Sequence, residues 1–305
     1  MYIQTLLNSL LELFLMVALG FFIKKINLVS DKTINELTNV LLSILLPFSI
    51  LASGNETCSR EMISNIGLSF LIVSLYYIFA FLFSLFVFHF LAKDKKTEVS
   101  SVNMCVFANT GFIGIPLSHI LFGTDGVIYA VIYNLLYNVF LFTIGVSLFN
   151  GGKKKDFSIK EVLLDPLSIT SVIAICLFFS PVKLPSTIQS FLTSVGDMSG
   201  PVSMMIIGAW VVGMDFKKII RRPISYAVCF VRLIALPIIM YLVLSPFELN
   251  DTLRNSIILL SALPIGSLNV IFAKKYNHDV SYVNETMMLS LCLSMITIPL
   301  IVMLF

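Results

Sequence analysis

The sequence predicts an all-α polytopic membrane protein whose ten transmembrane helices form two inverted five-helix repeats, with helices four and nine broken. Three observations lead there. Of 305 residues, 58% are hydrophobic and 12% charged, and the mean hydropathy is +0.97, whereas about 25% of the residues of a soluble domain are charged. Lysines and arginines gather in alternate connections between apolar runs, as topology signals do. Two runs long enough to cross a bilayer are interrupted at matched places by proline, glycine and asparagine, where a spanning helix should be continuous.

Apolar runs of about 20 residues, the length that crosses the hydrocarbon core, fall at roughly 5–23, 33–53, 65–91, 100–121, 126–149, 162–180, 197–216, 223–245, 252–273 and 281–304. The weaker stretch from Thr187 to Val195 reads as an interfacial lead-in to the seventh span, with Asp197 as the N-cap of that span. Met1-Tyr2-Ile3-Gln4 carries no basic region and no small-residue cleavage site follows, so the first run is expected to stay as a helix. Cys58, Cys105, Cys176, Cys229 and Cys292 stand singly, without metal or redox spacing, and read as small apolar packing residues. Neither a metal nor a cofactor is expected.

Lys24, Lys25 and Lys32 lie in the first connection and Lys93, Lys95 and Lys96 in the third. The fifth holds Lys153, Lys154, Lys155 and Lys160, the seventh Lys217, Lys218, Arg221 and Arg222, and the ninth Lys274 and Lys275. The even connections hold only Arg60, Lys183 and Arg254. Odd connections are therefore expected in the cytoplasm, with both termini outside. The polar linker at 151–160 then divides the chain into repeats at 1–150 and 161–305. Five spans per repeat is an odd number, so the second repeat enters the membrane in the opposite sense, the architecture of alternating-access carriers. Pro47 and Pro116 in the first repeat have counterparts in Pro201 and Pro264 in the second. A net charge of +3, spread over connections, excludes a nucleic-acid partner.

The first interruption is Asn109-Thr110-Gly111-Phe112-Ile113-Gly114-Ile115-Pro116 and the second is Ala262-Leu263-Pro264-Ile265-Gly266-Ser267-Leu268-Asn269. Proline removes a donor and frees a carbonyl, glycine lets the backbone turn, and asparagine supplies a neutral donor and acceptor. Irregular backbone at membrane depth is tolerated where it is buried in protein or lines a cavity, which marks a substrate site in secondary transporters.

The nonapeptide Asn109 to Leu117 resembles the fourth-helix asparagine-glycine-proline signature of the auxin efflux carrier family. The Gly200-Pro201 helix start, the Ala262-Leu263-Pro264 break and the Ser290, Ser294, Thr297, Pro299 series are similar to other family features. The resemblance covers essentially the whole chain, although the long central cytoplasmic loop of many plant members is missing. It implies a scaffold domain and a transport domain, each drawn from both repeats, with the broken fourth and ninth helices crossing in the latter. It also implies a substrate of the organic-acid class: auxin in plants, malate or malonate for bacterial relatives.

A broken helix places the N-terminus of its second half at the midplane, where free N–H groups and the positive dipole end attract a carboxylate. The substrate-site candidates are accordingly Asn109, Thr110, Gly111, Pro116, Pro264, Ser267 and Asn269, joined by Asn138 of span five, which shares a helix face with Asn134. Arg232, about ten residues into span eight, reads either as an anion-binding residue or as a partner of a nearby acid. Glu12, His119 and Glu285 are the candidate proton or ion carriers. An intramembrane enzyme would need a nucleophile with a base, or a metal cluster, and His89, His119 and His278 are scattered. A channel would need a ring of polar side chains. What remains is a secondary transporter of small organic anions in the cell membrane, with a sodium-coupled organic-anion symporter of similar fold as the alternative. The expected partners are the anion, membrane lipids and, as one of two open assemblies, a second copy in a homodimer.

Overall fold

A computed structural model describes residues 2–55, 60–151, 166–180, 183–212 and 222–305. Cys58, the linker lysines 153–155 and 160, and Lys217, Lys218 and Arg221 lie outside the described residues. In chain order the helices are α1 (Tyr2–Lys25), α2 (Asp31–Val40), α3 (Leu46–Gly54), α4 (Arg60–Leu91), α5 (Lys95–Val106), α6 (Ile115–Phe140), α7 (Val146–Phe149) and α8 (Pro166–Phe179). They continue as α9 (Ser186–Gly196), α10 (Ser199–Val212), α11 (Pro223–Phe230), α12 (Leu236–Leu244), α13 (Asp251–Ser261), α14 (Leu268–Lys275) and α15 (Val280–Val302).

Polar side chains fix the helix starts that the apolar runs leave open. Ser30, Asp94, Asn250 and Asp279 each accept a first-turn backbone N–H, from Thr33, Thr97, Leu253 and Tyr282 respectively, at 2.9–3.2 Å. The N–H of Thr97 holds the Asp94 carboxyl below the usual carboxylate range, keeping a negative charge at the N-terminus of α5. Two helix ends share a Lys-Lys-x-Asn pattern. Asn27 and Asn277 adopt φ of 58° and 57° after Lys24-Lys25 and Lys274-Lys275, and the next residue's N–H returns to Ile23 O and Ala273 O at 3.0 and 2.8 Å. These are Schellman closures in which asparagine accepts the left-handed backbone and the lysines face the negative helix end.

Among the described residues four short π-helical segments interrupt the ladders: Leu41–Leu45, Thr110–Gly114, Leu141–Gly145 and Val231–Ala235. Three of them end two residues before a proline, namely Pro47, Pro116 and Pro237. Proline cannot donate to the carbonyl four residues back and its ring collides with it, so the register slips by one residue and the turn widens. In the remaining segment the Thr143 hydroxyl bonds Val139 O at 2.6 Å, a side-chain competitor for the ladder.

Among the described residues six helical stretches are long and apolar enough to cross a membrane: Asp31–Gly54, Ser64–Leu91, Thr110–Phe149, Ser186–Val212, Pro223–Leu244 and Val280–Val302. The stretches expected at 100–121 and 252–273 are each divided. The chain runs α5, an extended Phe107-Ala108-Asn109, then a helix from Thr110; and α13, an irregular segment, then the eight-residue α14. The second helix of the first pair ends at Gly123, whose φ of 66° and ψ of −156° separate it from the rest of α6. Pro116 therefore sits inside this half-helix, buried, and the break lies ahead of it at Phe107–Asn109. Asp197 also departs from expectation: its φ of −59° and ψ of −27° are helical, and it closes α9 where an N-cap of α10 would be extended.

The chain forms two compact units. One comprises Met1–Gly67, Gly111–Ile132 and Leu164–Met214. Here α1 lies against α10 so closely that a Cβ on Gly208 would run into the Val17 carbonyl, the small-residue packing that lets membrane helices touch backbone to backbone. The other unit comprises Leu68–Thr110, Tyr133–Leu163 and Asp215–Phe305 and contains the second break together with Phe107, Ala108 and Asn109.

Candidate transport site

The two interruptions bond to each other. Ala108 and Ile265 form an isolated antiparallel bridge, with Asn109 N–H donating to Pro264 O at 2.8 Å and Gly266 N–H to Phe107 O at 3.0 Å. Backbone released from two helices is thereby satisfied without water, which the interior of a membrane protein demands. Three side chains extend the contact. Asn269 donates from Nδ2 to Phe107 O and Gly266 O, each at 3.0 Å. Ser290 of α15 accepts the Ile265 N–H at 3.1 Å. The Thr110 hydroxyl, at the start of the helix after the first break, donates to Asn134 Oδ1 at 2.8 Å.

Gly266 is required by this approach. A Cβ there would stand 2.7 Å from Ala108 O and 3.2 Å from Phe107 O, both rigid backbone atoms.

Arg232 is wholly buried, and its place in the Val231–Ala235 π turn aims it at the ends of both interrupted helices. Its Nε donates to Leu263 O at 2.8 Å and its Nη2 to Leu260 O at 3.3 Å. Its Nη1 donates to Cys105 O at 3.1 Å and to the Tyr76 hydroxyl at 2.8 Å. Cys105 lies in the last turn of α5 and Leu260 in the last turn of α13, so one cation meets the negative ends of two helix dipoles. Among the described residues no carboxylate pairs with it. Carbonyl dipoles, four hydrogen bonds and a cluster of tyrosines 76, 77 and 133, edge-on or tilted to one another with centroids 5.3–5.8 Å apart, form its surroundings.

The other sequence candidates divide. Pro264 is buried, Ser267 exposed at the start of α14, and Asn138 buried one turn beyond Asn134, all in the unit that holds the bridge. Gly111, Pro116 and His119 belong to the other unit, where His119 Nε2 lies 3.6 Å from the Asp197 carboxylate. Glu12 is exposed on α1. Glu285 is 3.6 Å from Arg222 and accepts the Ser281 hydroxyl at 2.7 Å, at the start of α15.

Polar atoms remain open around the bridge. Asn269 Oδ1, Asn134 Nδ2 and Asn103 Oδ1 are buried and have no hydrogen-bond partner among the described residues. Each amide is anchored at its other end, Asn103 by donating to Val99 O at 3.0 Å. A buried amide atom left open costs about 1–3 kcal/mol. Sequence reading passed over Asn103 and Tyr76. The available signal is the Tyr76-Tyr77 pair of hydroxyls in the middle of the 65–91 run and the Asn103 amide near the start of the 100–121 run.

A family profile described as membrane transport protein, the auxin efflux carrier family, matches residues 5–158 and 155–302. The chain belongs to this family. An uncharacterized transporter of Methanocaldococcus jannaschii is 23% identical over 304 residues, covering 96% of this chain and 97% of the archaeal one. The uncharacterized transporter YfdV of Escherichia coli is 22% identical over 282 residues, covering 89% of this chain and 88% of its own. This auxin efflux carrier family chain is thus a membrane transport protein built from apolar helices.

Proposed function

We propose that the protein is a secondary transporter of small organic anions, mono- or dicarboxylates of the malate and malonate type, with its substrate seat at the bridge between Phe107–Asn109 and Pro264–Gly266. The bridge is the observation that carries the reading. It joins two helix C-termini, neutralised by Arg232, to the N-terminus of the helix that starts at Thr110. The donors on that second side, the first-turn N–H groups and Asn134 Nδ2, suit a carboxylate, and Asn269 Oδ1 suits a hydroxyl or a protonated acid. Arg232 acts here as the residue that fixes both breaks, holding the seat in shape. Asn109, Thr110, Pro264 and Asn269 line it, with Ser267 and Asn138 of the same unit around them. Alternating access in a ten-span inverted arrangement is part of the proposal, and it is supported by each compact unit drawing segments from both sides of the linker.

Uptake by purified protein in liposomes tests the reading, with mono- and dicarboxylates offered under imposed proton, sodium and voltage gradients. Accumulation of at least one carboxylate is expected, and a flat response to all of them overturns the proposal. Dependence on the sodium gradient alone would select the symporter alternative.

Asn109→Ala and Asn269→Ala should each weaken substrate binding by about 1–3 kcal/mol. Because one anion would meet both residues, the double variant should lose less than the sum, with a coupling above about 0.5 kcal/mol. Calorimetric titration of the wild type, both singles and the double measures this, and strict additivity would separate the two residues into independent roles.

Both termini are proposed to face outward, in the cell membrane. A cysteine placed at position 154 of a cysteine-free variant should be shielded from an impermeant thiol reagent in intact cells, while one at position 3 reacts. Labelling of position 154 from outside would reverse the topology.

A further inference from the structure

Within the unit that holds the bridge, α4 and α12 leave a groove of about 400 Å³ between them. Its lining is apolar: Leu75 and Phe79 from α4, Met240 and Val243 from α12, and Phe247 just beyond, with Tyr76 as the polar exception. Leu75, Phe79, Val243 and Phe247 are exposed, whereas Tyr76 and Met240 are buried at the floor. The two helices belong to the most apolar of the membrane-crossing stretches. A void of this size, within the range of about 300–1,000 Å³ typical of small-molecule sites, would forfeit dispersion contacts along its whole lining if empty. Water gains nothing from such a surface.

We propose that this groove holds one acyl chain of a bilayer phospholipid with an ammonium-bearing headgroup, and that the occupied groove braces the helix breaks through Tyr76. The chain is chosen by the lining, which is continuous with exposed Leu71, Ile78 and Leu82 on the same helix. The headgroup is chosen by charge. Glu248, exposed, lies in the chain between the lining residues Phe247 and Leu249, so a negative group within one residue of the lining favours an ammonium over an anionic lipid. The coupling follows from one bond: the Tyr76 hydroxyl accepts from Arg232 Nη1 at 2.8 Å, and Arg232 holds the carbonyls of Cys105, Leu260 and Leu263. A chain packed on the Tyr76 ring restricts it, and with it the guanidinium that ties the two breaks together.

The test uses the full-length protein purified in detergent, with dioleoyl phosphatidylethanolamine and dioleoyl phosphatidylglycerol as probes. Bound lipid is counted by mass spectrometry after extraction, and the thermal unfolding midpoint is followed as each lipid is added back. The wild type should keep about one phosphatidylethanolamine per protein and gain stability from it, with little of either from phosphatidylglycerol. Val243→Trp fills the groove and should abolish both retention and gain. Leu249→Trp, in the loop at the mouth, should do the same without altering a span. Leu82→Trp, exposed on α4 outside the groove, should behave as the wild type. Tyr76→Phe keeps the lining apolar and should retain the lipid while losing at least half of the thermal gain. Unchanged retention in both Val243→Trp and Leu249→Trp overturns the site, as does an equal loss in Leu82→Trp, which would mean only the general lipid annulus. Equal retention of the two lipids overturns the headgroup assignment, and a full thermal gain in Tyr76→Phe overturns the coupling.

Discussion

Arg232→Ala is expected to lower the stability of the folded protein by about 3–5 kcal/mol, the cost of removing one side of a buried charged network. The variant would leave the carbonyls of Cys105, Leu260 and Leu263 and the Tyr76 hydroxyl facing a void. It would also leave two helix C-termini pointing at each other with no positive charge between them. Arg232→Lys keeps the charge, but a compact ammonium cannot span the planar fork of acceptors, so an intermediate loss is expected. The measurement is the thermal midpoint and monodispersity of each variant in detergent, read beside substrate binding. A fully stable Arg232→Ala that has lost only substrate binding would instead return Arg232 to direct contact with the anion.

The sequence exposes this arginine as an anomaly but not its partners, and the reason is physical. A charge ten residues into an apolar run must be paired or functional, which composition and spacing reveal. Its acceptors are backbone carbonyls set free by helix ends far away in the chain, and no residue type announces a free carbonyl. The breaks were legible because proline, glycine and asparagine are chosen for local backbone chemistry. Their place was displaced by about two turns at Pro116, since a proline near a helix start is tolerated and the π turn before it absorbs the missing donor. Asn109, Thr110, Pro264 and Asn269 meet at one bridge, whereas Glu285 is spent on Arg222 and Glu12 faces outward on α1. For single acidic residues near span ends, periodicity alone does not distinguish an interfacial partner from a cavity group.

Gly266→Ala should disable the site while sparing most of the fold. The added methyl would meet Ala108 O at 2.7 Å and Ala108 C at 3.0 Å, and neither can rotate away because both belong to the bridged backbone. Relief requires the two interrupted segments to separate, which breaks the Gly266 to Phe107 bond and loosens Asn109 N–H from Pro264 O. Each of those broken bonds then costs about 1–3 kcal/mol, so a loss of about 2–6 kcal/mol at the bridge is expected from the pair. Packing within the other unit, such as α1 against α10, does not depend on the bridge and is kept. The check is hydrogen exchange on detergent-solubilised protein. Peptides covering 105–112 and 262–270 should exchange at least tenfold faster in the variant, while those covering 10–25 and 199–212 stay as in the wild type. Carboxylate uptake should fall in proportion to the opening of the bridge. Gly266→Ser, whose side chain is larger by one hydroxyl, should be no better, because the conflict lies at the Cβ itself. Wild-type protection in the first two peptides would mean that the bridge yields without cost, and the site could not then depend on the two breaks being held together.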